Sequence, residues 1–247
     1  MHIFEELRIF TAGNPKIAPF RLNPFNVPDG VPLNKWISRI VTAFSASMPN
    51  GGTLEMHTKR MIRTAYENCG WDSKNETKGR PVLLTDLVDA VLDVRKRTPY
   101  GEELQADMYG ALVSRIESML TNPVIVDMFN TSKGISFGEL LSKPTIIEMD
   151  ALSKEDRIFL SGILAAGISE YKQAHPTKVV RHLLVLEEAH NLLRSSSSQQ
   201  VDAPQMQNET SLAFVEMFRV AGGTGLGLVM LEQLPGELVR EAVKLPV

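Results

Sequence analysis

The sequence contains a single cysteine, Cys69, among 247 residues. One cysteine cannot form an intrachain disulfide, which excludes the disulfide-bonded secreted folds and favours a reducing compartment. No histidine forms a recognisable arrangement with this thiol, so an inert side chain on a helix is the simpler interpretation. Apolar runs are also short, and none approaches the roughly 20 residues that a membrane-spanning helix requires.

The chain has no large excess of charge of either sign, with a formal net charge of −3. This balance argues against a chain that is basic throughout, although a local basic stripe or the pore of an oligomer can still bind nucleic acid. The N-terminal residues lack the basic head and apolar stretch of a signal peptide. We therefore expect a cytoplasmic protein without a membrane association.

The most informative segment is an apolar run that ends in two adjacent carboxylates. Residues 182–193 read His-Leu-Leu-Val-Leu-Glu-Glu-Ala-His-Asn-Leu-Leu, and the aliphatic run predicts a buried strand of a parallel sheet. Open α/β sheets bind ligands at the carboxyl ends of their strands, where Glu187 and Glu188 lie. As a Walker B element, Glu187 would hold Mg²⁺ and Glu188 would polarise the water that attacks a γ-phosphate. The alternative is a strand that ends in a solvated turn.

The sequence lacks the usual partner of such a strand, which is a phosphate-binding loop. That loop has the pattern Gly-x4-Gly-Lys-Ser/Thr, and its backbone amides cradle the phosphates. No Gly-Lys dipeptide occurs in the chain, and no lysine follows in the required place after the glycine-rich stretches 51–53 and 222–227. The chain therefore carries half of a nucleotide site, which points to a fragment, a split protein or a degenerate ATPase.

The pattern along the chain predicts three segments. Residues 1–32 hold short extended pieces interrupted by five prolines and form part of an α/β core. Residues 33–143 show apolar side chains at helical spacing and predict an inserted helical bundle. Residues 144–247 alternate strands with helices, which predicts a parallel sheet with right-handed crossovers. Strands are expected at 144–149, 182–187 and 226–233, and helices begin near Thr85, Glu102, Ser153 and Glu209.

A glutamine ends the strand that follows the two acids. Gln233 comes after the run Leu-Gly-Leu-Val-Met-Leu-Glu, one crossover beyond Glu187 and Glu188. An amide can donate to a phosphate and accept from an attacking water, as a γ-phosphate sensor must. A glutamine at the end of a strand is usually a solvated turn residue, but its place beside the two acids favours the sensor role.

These motifs resemble the HerA/FtsK-type branch of the P-loop ATPases, especially the HerA-like DNA-translocating ATPases and their conjugative-secretion relatives. The resemblance rests on residues 20–25, 183–193 and 225–235, with an all-helical insert between the first and the second. It covers nearly the whole chain. The resemblance implies an α/β fold, namely a truncated RecA-like P-loop ATPase core with a parallel sheet and an inserted helical bundle.

The resemblance also implies a homo-hexameric ring that couples hydrolysis of ATP, with Mg²⁺, to movement of DNA through its centre. A nuclease or another effector is a further partner that it suggests. Glu188 and Gln233 are the implied catalytic residues and Glu187 the metal ligand. In such relatives an arginine from the neighbouring subunit completes the site. Arg219 is the candidate here, with a solvated charge at a helix end as its alternative.

Two departures from the family pattern leave alternatives open. The phosphate loop and the strand before it are expected upstream of Met1, and relatives continue beyond Gln233 with at least one more strand. We therefore expect a piece of a motor ATPase. A non-catalytic subunit that acts with a complete ATPase is one alternative, and an ATPase that moves protein or a packaged genome is another.

Two further features favour structural interpretations. His190 lacks the His-Glu-x-x-His spacing of a zinc helix, so a structural or hinge role is expected. The basic run at residues 95–97 could contact DNA phosphate, but a solvated helix end is favoured.

Overall fold

The computed structural model describes residues 6–47, 54–75, 77–97 and 102–193, followed by residues 211, 214–216, 218, 219, 222–233, 236, 238 and 240–244. The chain divides into two compact units. Unit 1 comprises Met1–Val27, Pro32–Val41 and Thr53–Ser153, and unit 2 comprises Pro28–Val31, Thr42–Gly52 and Lys154–Val247. Among the residues that the structure describes, each unit contains helices and one pair of parallel strands.

The part of unit 1 between its two strands is rich in helix, as the spacing of apolar residues predicts. The helices that the structure describes between the first two strands are α1 (Leu33–Ala46, whose last residues belong to unit 2), α2 (Glu55–Asn68), α3 (Asp86–Arg97), α4 (Glu102–Thr121), α5 (Pro123–Phe129) and α6 (Phe137–Leu140). The predicted helix starts near Thr85 and Glu102 are confirmed. In the described part of the chain, no helix is both long and apolar enough to cross a membrane.

The segment at residues 20–25 forms no strand, and it turns at Pro24 and Phe25. The Asn23 side chain donates to the carbonyl oxygen of Val82 and accepts from the amide of Phe25, both at 2.8 Å. The Tyr66 hydroxyl donates to the carbonyl oxygen of Phe25. All four residues are buried. The Asn-Pro-Phe element therefore has a structural role in the core of unit 1, since its polar groups are satisfied inside that core.

Unit 1 contains a two-stranded parallel sheet made of β1 (Arg8–Thr11) and β2 (Thr145–Glu148). The strands pair from Arg8 with Thr145 to Thr11 with Glu148. The guanidinium of Arg8 also donates to the carbonyl oxygens of Glu139 and Leu140 at 2.8 and 2.9 Å, and to the Thr145 hydroxyl at 3.0 Å. These bonds attach the start of β1 to the segment that leads into β2.

Unit 2 is built on one long helix and a second parallel pair of strands. Its described elements are α7 (Lys154–Ala174), β3 (His182–Glu187), α8 (His190–Leu193), β4 (Leu226–Leu231) and α9 (Arg240–Val243). The predicted helix from Ser153 to His175 is confirmed. Phe159 of α7 packs edge to face on Phe44, with ring centroids 5.3 Å apart. Of the predicted helix 209–221, residues 211, 214–216, 218 and 219 are described, and they are helical.

The sheets differ from the prediction in pairing and in burial. The strands are parallel as expected, but β2 pairs with β1, and β3 pairs with β4, in two separate sheets. The strand β3 was expected to be buried, yet Leu183 is 61% exposed and Val185 is 48% exposed. The order of apolar and polar residues in a strand indicates which of its faces is apolar. It does not indicate which other strand lies beside it, so the pairing could not be predicted. The RecA-like core and the division at residues 32 and 143 stay predictions.

Candidate functional site

The strand ends of β3 and β4 bring the predicted site residues to one edge of a sheet. The two strands are parallel and in register, with Glu187 opposite Leu231. The amide of Glu188 donates to the carbonyl oxygen of Leu231 at 3.0 Å, so the pairing extends beyond the strands themselves. Gln233 follows β4 by two residues. The structure therefore places Glu187, Glu188 and Gln233 at the same carboxyl-terminal edge, where open α/β sheets bind ligands.

Glu188 has an unusual backbone conformation. Its φ is +50°, in the left-handed region that favours glycine. For a residue with a Cβ this conformation costs roughly 1–2 kcal/mol. Such residues cluster at functional sites, where the surrounding structure holds them in place. The Glu188 side chain is 61% exposed, so its carboxylate is accessible to water and to a ligand.

Arg157, on the second turn of α7, lies beside this carboxylate. Its Nη1 atom is 4.0 Å from Oε2 of Glu188, a long separation for an ion pair. Sequence reasoning missed Arg157, because an arginine near the start of a long helix looks like an ordinary surface charge. Its guanidinium adds a positive charge beside the carboxylates of Glu187 and Glu188.

A second missed residue, Glu232, joins the ends of the two strands. Its Oε2 atom accepts from the backbone amide of His190 at 2.9 Å and lies 2.9 Å from Nδ1 of the same histidine. The Glu232 side chain is only 6% exposed. His190 begins α8, two residues after Glu188. Glu232 therefore holds the segment that carries Glu188, and the structural or hinge role of His190 stays a prediction.

The exposed carboxylate and amide groups at this edge determine what it could bind. Glu187 and Gln233 are exposed. In the part of the chain that the structure describes, no group of three or more His, Cys, Asp or Glu side chains could hold a metal ion. Mg²⁺ at phosphate sites usually keeps several waters and takes one or two carboxylates plus substrate phosphates. Glu187 thus suits Mg²⁺ as a single protein ligand, in a site where phosphates supply other oxygens.

Arg219 is not brought to this edge by the described contacts. Its Nη1 atom bonds to Oε2 of Glu216 at 2.8 Å, one turn away on the same helical stretch, and its side chain is 59% exposed. The pairing fits the alternative of a solvated charge. Completion of a neighbouring subunit's site stays a prediction.

The glycine-rich stretch 222–227 has a packing role at the other end of β4. Gly222–Thr224 forms a short 3₁₀ turn, and Gly225 follows with a φ of +79°. A Cβ on Gly225 would lie 2.0 Å from Oγ1 of Thr177. Close backbone approach explains this glycine without a phosphate. The other glycine-rich stretch, 51–53, lies outside the described residues.

No family model and no curated protein matches this chain. The resemblance to the HerA/FtsK-type ATPases therefore rests on the motifs alone and stays a prediction. What the geometry contributes is an accessible acidic edge with an amide and a guanidinium beside it. Exposed carboxylates of this kind can accept a proton from water.

Proposed function

We propose that this chain is part of an ATP-driven DNA translocase or helicase of the HerA-like type, which works in the cytoplasm as a hexameric ring. The observation that carries the proposal is that Glu187, Glu188 and Gln233 lie at or just after the carboxyl ends of two paired parallel strands. A phosphoryl-transfer site needs a metal ligand, a residue that orients water and a polar group near the γ-phosphate. These three side chains supply one of each.

The proposed roles follow from chemistry and exposure. Glu188 polarises the attacking water through its accessible carboxylate. Glu187 holds Mg²⁺, which when bound neutralises charge on phosphate oxygens. Gln233 donates to the γ-phosphate through its amide. Glu232 positions the turn that carries Glu188, through the two contacts with His190.

A second candidate is a non-catalytic subunit that keeps the fold and binds a complete ATPase. The observation that favours it is the absence of a Gly-Lys dipeptide from the 247 residues. Without loop amides and a lysine, the chain by itself has no cradle for phosphates. Under this second proposal the complete ATPase partner supplies the cradle, and a nuclease or other effector is a further candidate partner.

ATP turnover by the protein isolated from cells together with the proteins that bind it tests these two proposals. We expect Glu188→Gln to lower kcat about 100-fold or more while KM for ATP changes little, because the substitution removes a base and leaves the shape intact. The control is Glu117→Gln, at an exposed carboxylate of α4 in unit 1, and it should keep full turnover. Full turnover by Glu188→Gln as well would contradict the catalytic role and favour the non-catalytic subunit.

A further inference from the structure

Two neighbouring helices of unit 1 present a group of cations to solvent. Residues Lys35 and Arg39 of α1 are partly exposed, and Lys59, Arg60 and Arg63 of α2 are exposed. The helices are adjacent at this surface, because Nη2 of Arg63 donates to Oδ1 of Asn34 at 3.2 Å. We call these five basic residues the α1–α2 cationic surface.

Helical periodicity places these cations on the solvent side of each helix. Lys35 and Arg39 are four residues apart, as are Lys59 and Arg63, so each pair shares a face. The opposite faces are buried in the core of unit 1. The buried side chains that define those faces include Trp36, Ile37, Ile40, Met61, Ile62 and Ala65.

The charges on these helices are mainly basic. The sequence of α1 contains no acidic residue, and α2 carries two carboxylates, Glu55 four residues before Lys59 and Glu67 four residues after Arg63. The whole chain nevertheless has a net charge of −3. Glu55 and Glu67 offset part of the positive charge of α2, because residues four positions apart share a helix face. Burial, and then the charge of Arg60, lower the pKa of His57, as expected beneath a positive surface.

The side chains of the α1–α2 cationic surface indicate which kind of partner it could bind. Lysine and arginine donate charge-assisted hydrogen bonds to phosphate oxygens, and side-chain amides and hydroxyls such as those of Asn34 and Ser38 add neutral ones. A helix that lies on a membrane buries several large apolar side chains in the lipid. On α1 and α2, both fully described, the exposed large apolar side chain is Met56. The composition therefore favours a polyphosphate backbone over a lipid surface.

We propose that the α1–α2 cationic surface binds the phosphate backbone of double-stranded DNA without reading its sequence. That the polyanion is DNA rests on the proposed function. The new inference is which surface of this chain contacts the DNA. Backbone contacts by lysine and arginine release counterions, so affinity falls steeply as salt rises, in proportion to the number of phosphates neutralised.

The test is the salt dependence of binding of the purified chain to a fluorescent DNA duplex, without nucleotide. One variant combines Lys59→Gln, Arg60→Gln and Arg63→Gln. Its matched control removes the same three charges at the exposed end of α3, through changes at residues 95–97 to glutamine. We expect the α2 variant to reduce the slope of log affinity against log salt by about 2–3 and the affinity by about tenfold or more. The control should keep the parent slope.

Helix content from circular dichroism identifies a variant that fails to fold. In that case the pair Lys35→Gln and Arg39→Gln gives a second measurement, with an expected reduction in slope of about 2. Equal losses in the α2 and α3 variants, or no binding of DNA by the parent chain, would overturn the proposal. So would binding to phosphatidylserine vesicles in place of DNA. The binding assay contains no ATP, so its outcome does not depend on ATP hydrolysis. It therefore tests the DNA-binding surface even if the ATPase proposal fails.

Discussion

Glu188 combines a backbone conformation that favours glycine with a charged side chain. Its φ of +50° suits glycine, yet the position holds a carboxylate that is mostly exposed. The amide of Glu188 bonds to Leu231, and Glu232 fixes the following turn through His190. These contacts hold the strained conformation in place. A carboxylate kept at a cost in stability is expected where function requires it.

The conformation predicts an unusual response to glycine. Glu188→Gly should raise the free energy of unfolding by about 0.5–1 kcal/mol, because relief of the left-handed strain exceeds the added entropy of the unfolded chain. Glu187→Gly, at the preceding position without a positive φ, should lower it by about 0.5–1 kcal/mol. Urea denaturation of the two variants and the parent measures both. Similar losses at the two positions would show that Glu188 is not strained.

The site was only partly predictable at this scale. Glu187, Glu188 and Gln233 could be found because polar residues that directly follow apolar runs stand out in the sequence. Glu232 could not be found, because its role depends on a contact with His190. The two residues are distant in the chain and come together only through the pairing of β3 with β4. Arg157 was missed for the same reason. Contacts between strands and helices distant in sequence have no local signature.

Among the elements, the amino-terminal ends of β3 and β4 are joined through the segment before β3. The amide of Thr177 donates to the carbonyl oxygen of Thr224 at 3.0 Å, and its hydroxyl accepts from Nζ of Lys172 at 3.2 Å. Gly225 lies against Thr177 so closely that a Cβ would overlap Oγ1. This close approach fixes where β4 begins relative to β3.

Two glycine-to-alanine substitutions distinguish the effect of close packing at Gly225 from the general effect of replacing a glycine. Gly225→Ala should lower the free energy of unfolding by about 3 kcal/mol, because it combines a positive φ with a steric overlap. Gly223→Ala, two residues earlier, has no neighbouring atom within 4 Å of the added Cβ. Its effect should stay within about 1 kcal/mol. Thermal and urea unfolding compare the two, and equal effects would argue against the close packing of Gly225.

Helices were predicted more successfully than sheets. The starts of α3, α4 and α7 follow from apolar spacing and from polar residues that favour the first turn, all of which are local signals. The pairing of β2 with β1 depends instead on Arg8 and on residues that are adjacent only after folding. The exposed side chains of β3 show the same limit, since burial depends on what covers a strand and not on the strand alone.

At the scale of the whole molecule, the described acidic edge and the missing phosphate loop predict what the chain does alone. The purified chain should hydrolyse ATP little or not at all, because no Gly-Lys pair is present to hold the phosphates beside Glu187 and Glu188. Phosphate release with and without Mg²⁺ measures this. Robust Mg²⁺-dependent release that Glu188→Gln abolishes would show that another part of the chain supplies the phosphate contacts.

The contact between Glu232 and His190 has a consequence for how substitutions in this region are interpreted. The buried carboxylate of Glu232, which follows β4, bonds to both the backbone and the ring of His190, which follows β3. The free energies of the two strand ends are therefore coupled. Residues in such contact give effects that do not add. Loss of either partner will therefore appear as a defect of both strands, and only a double-mutant cycle can assign the energy to the pair.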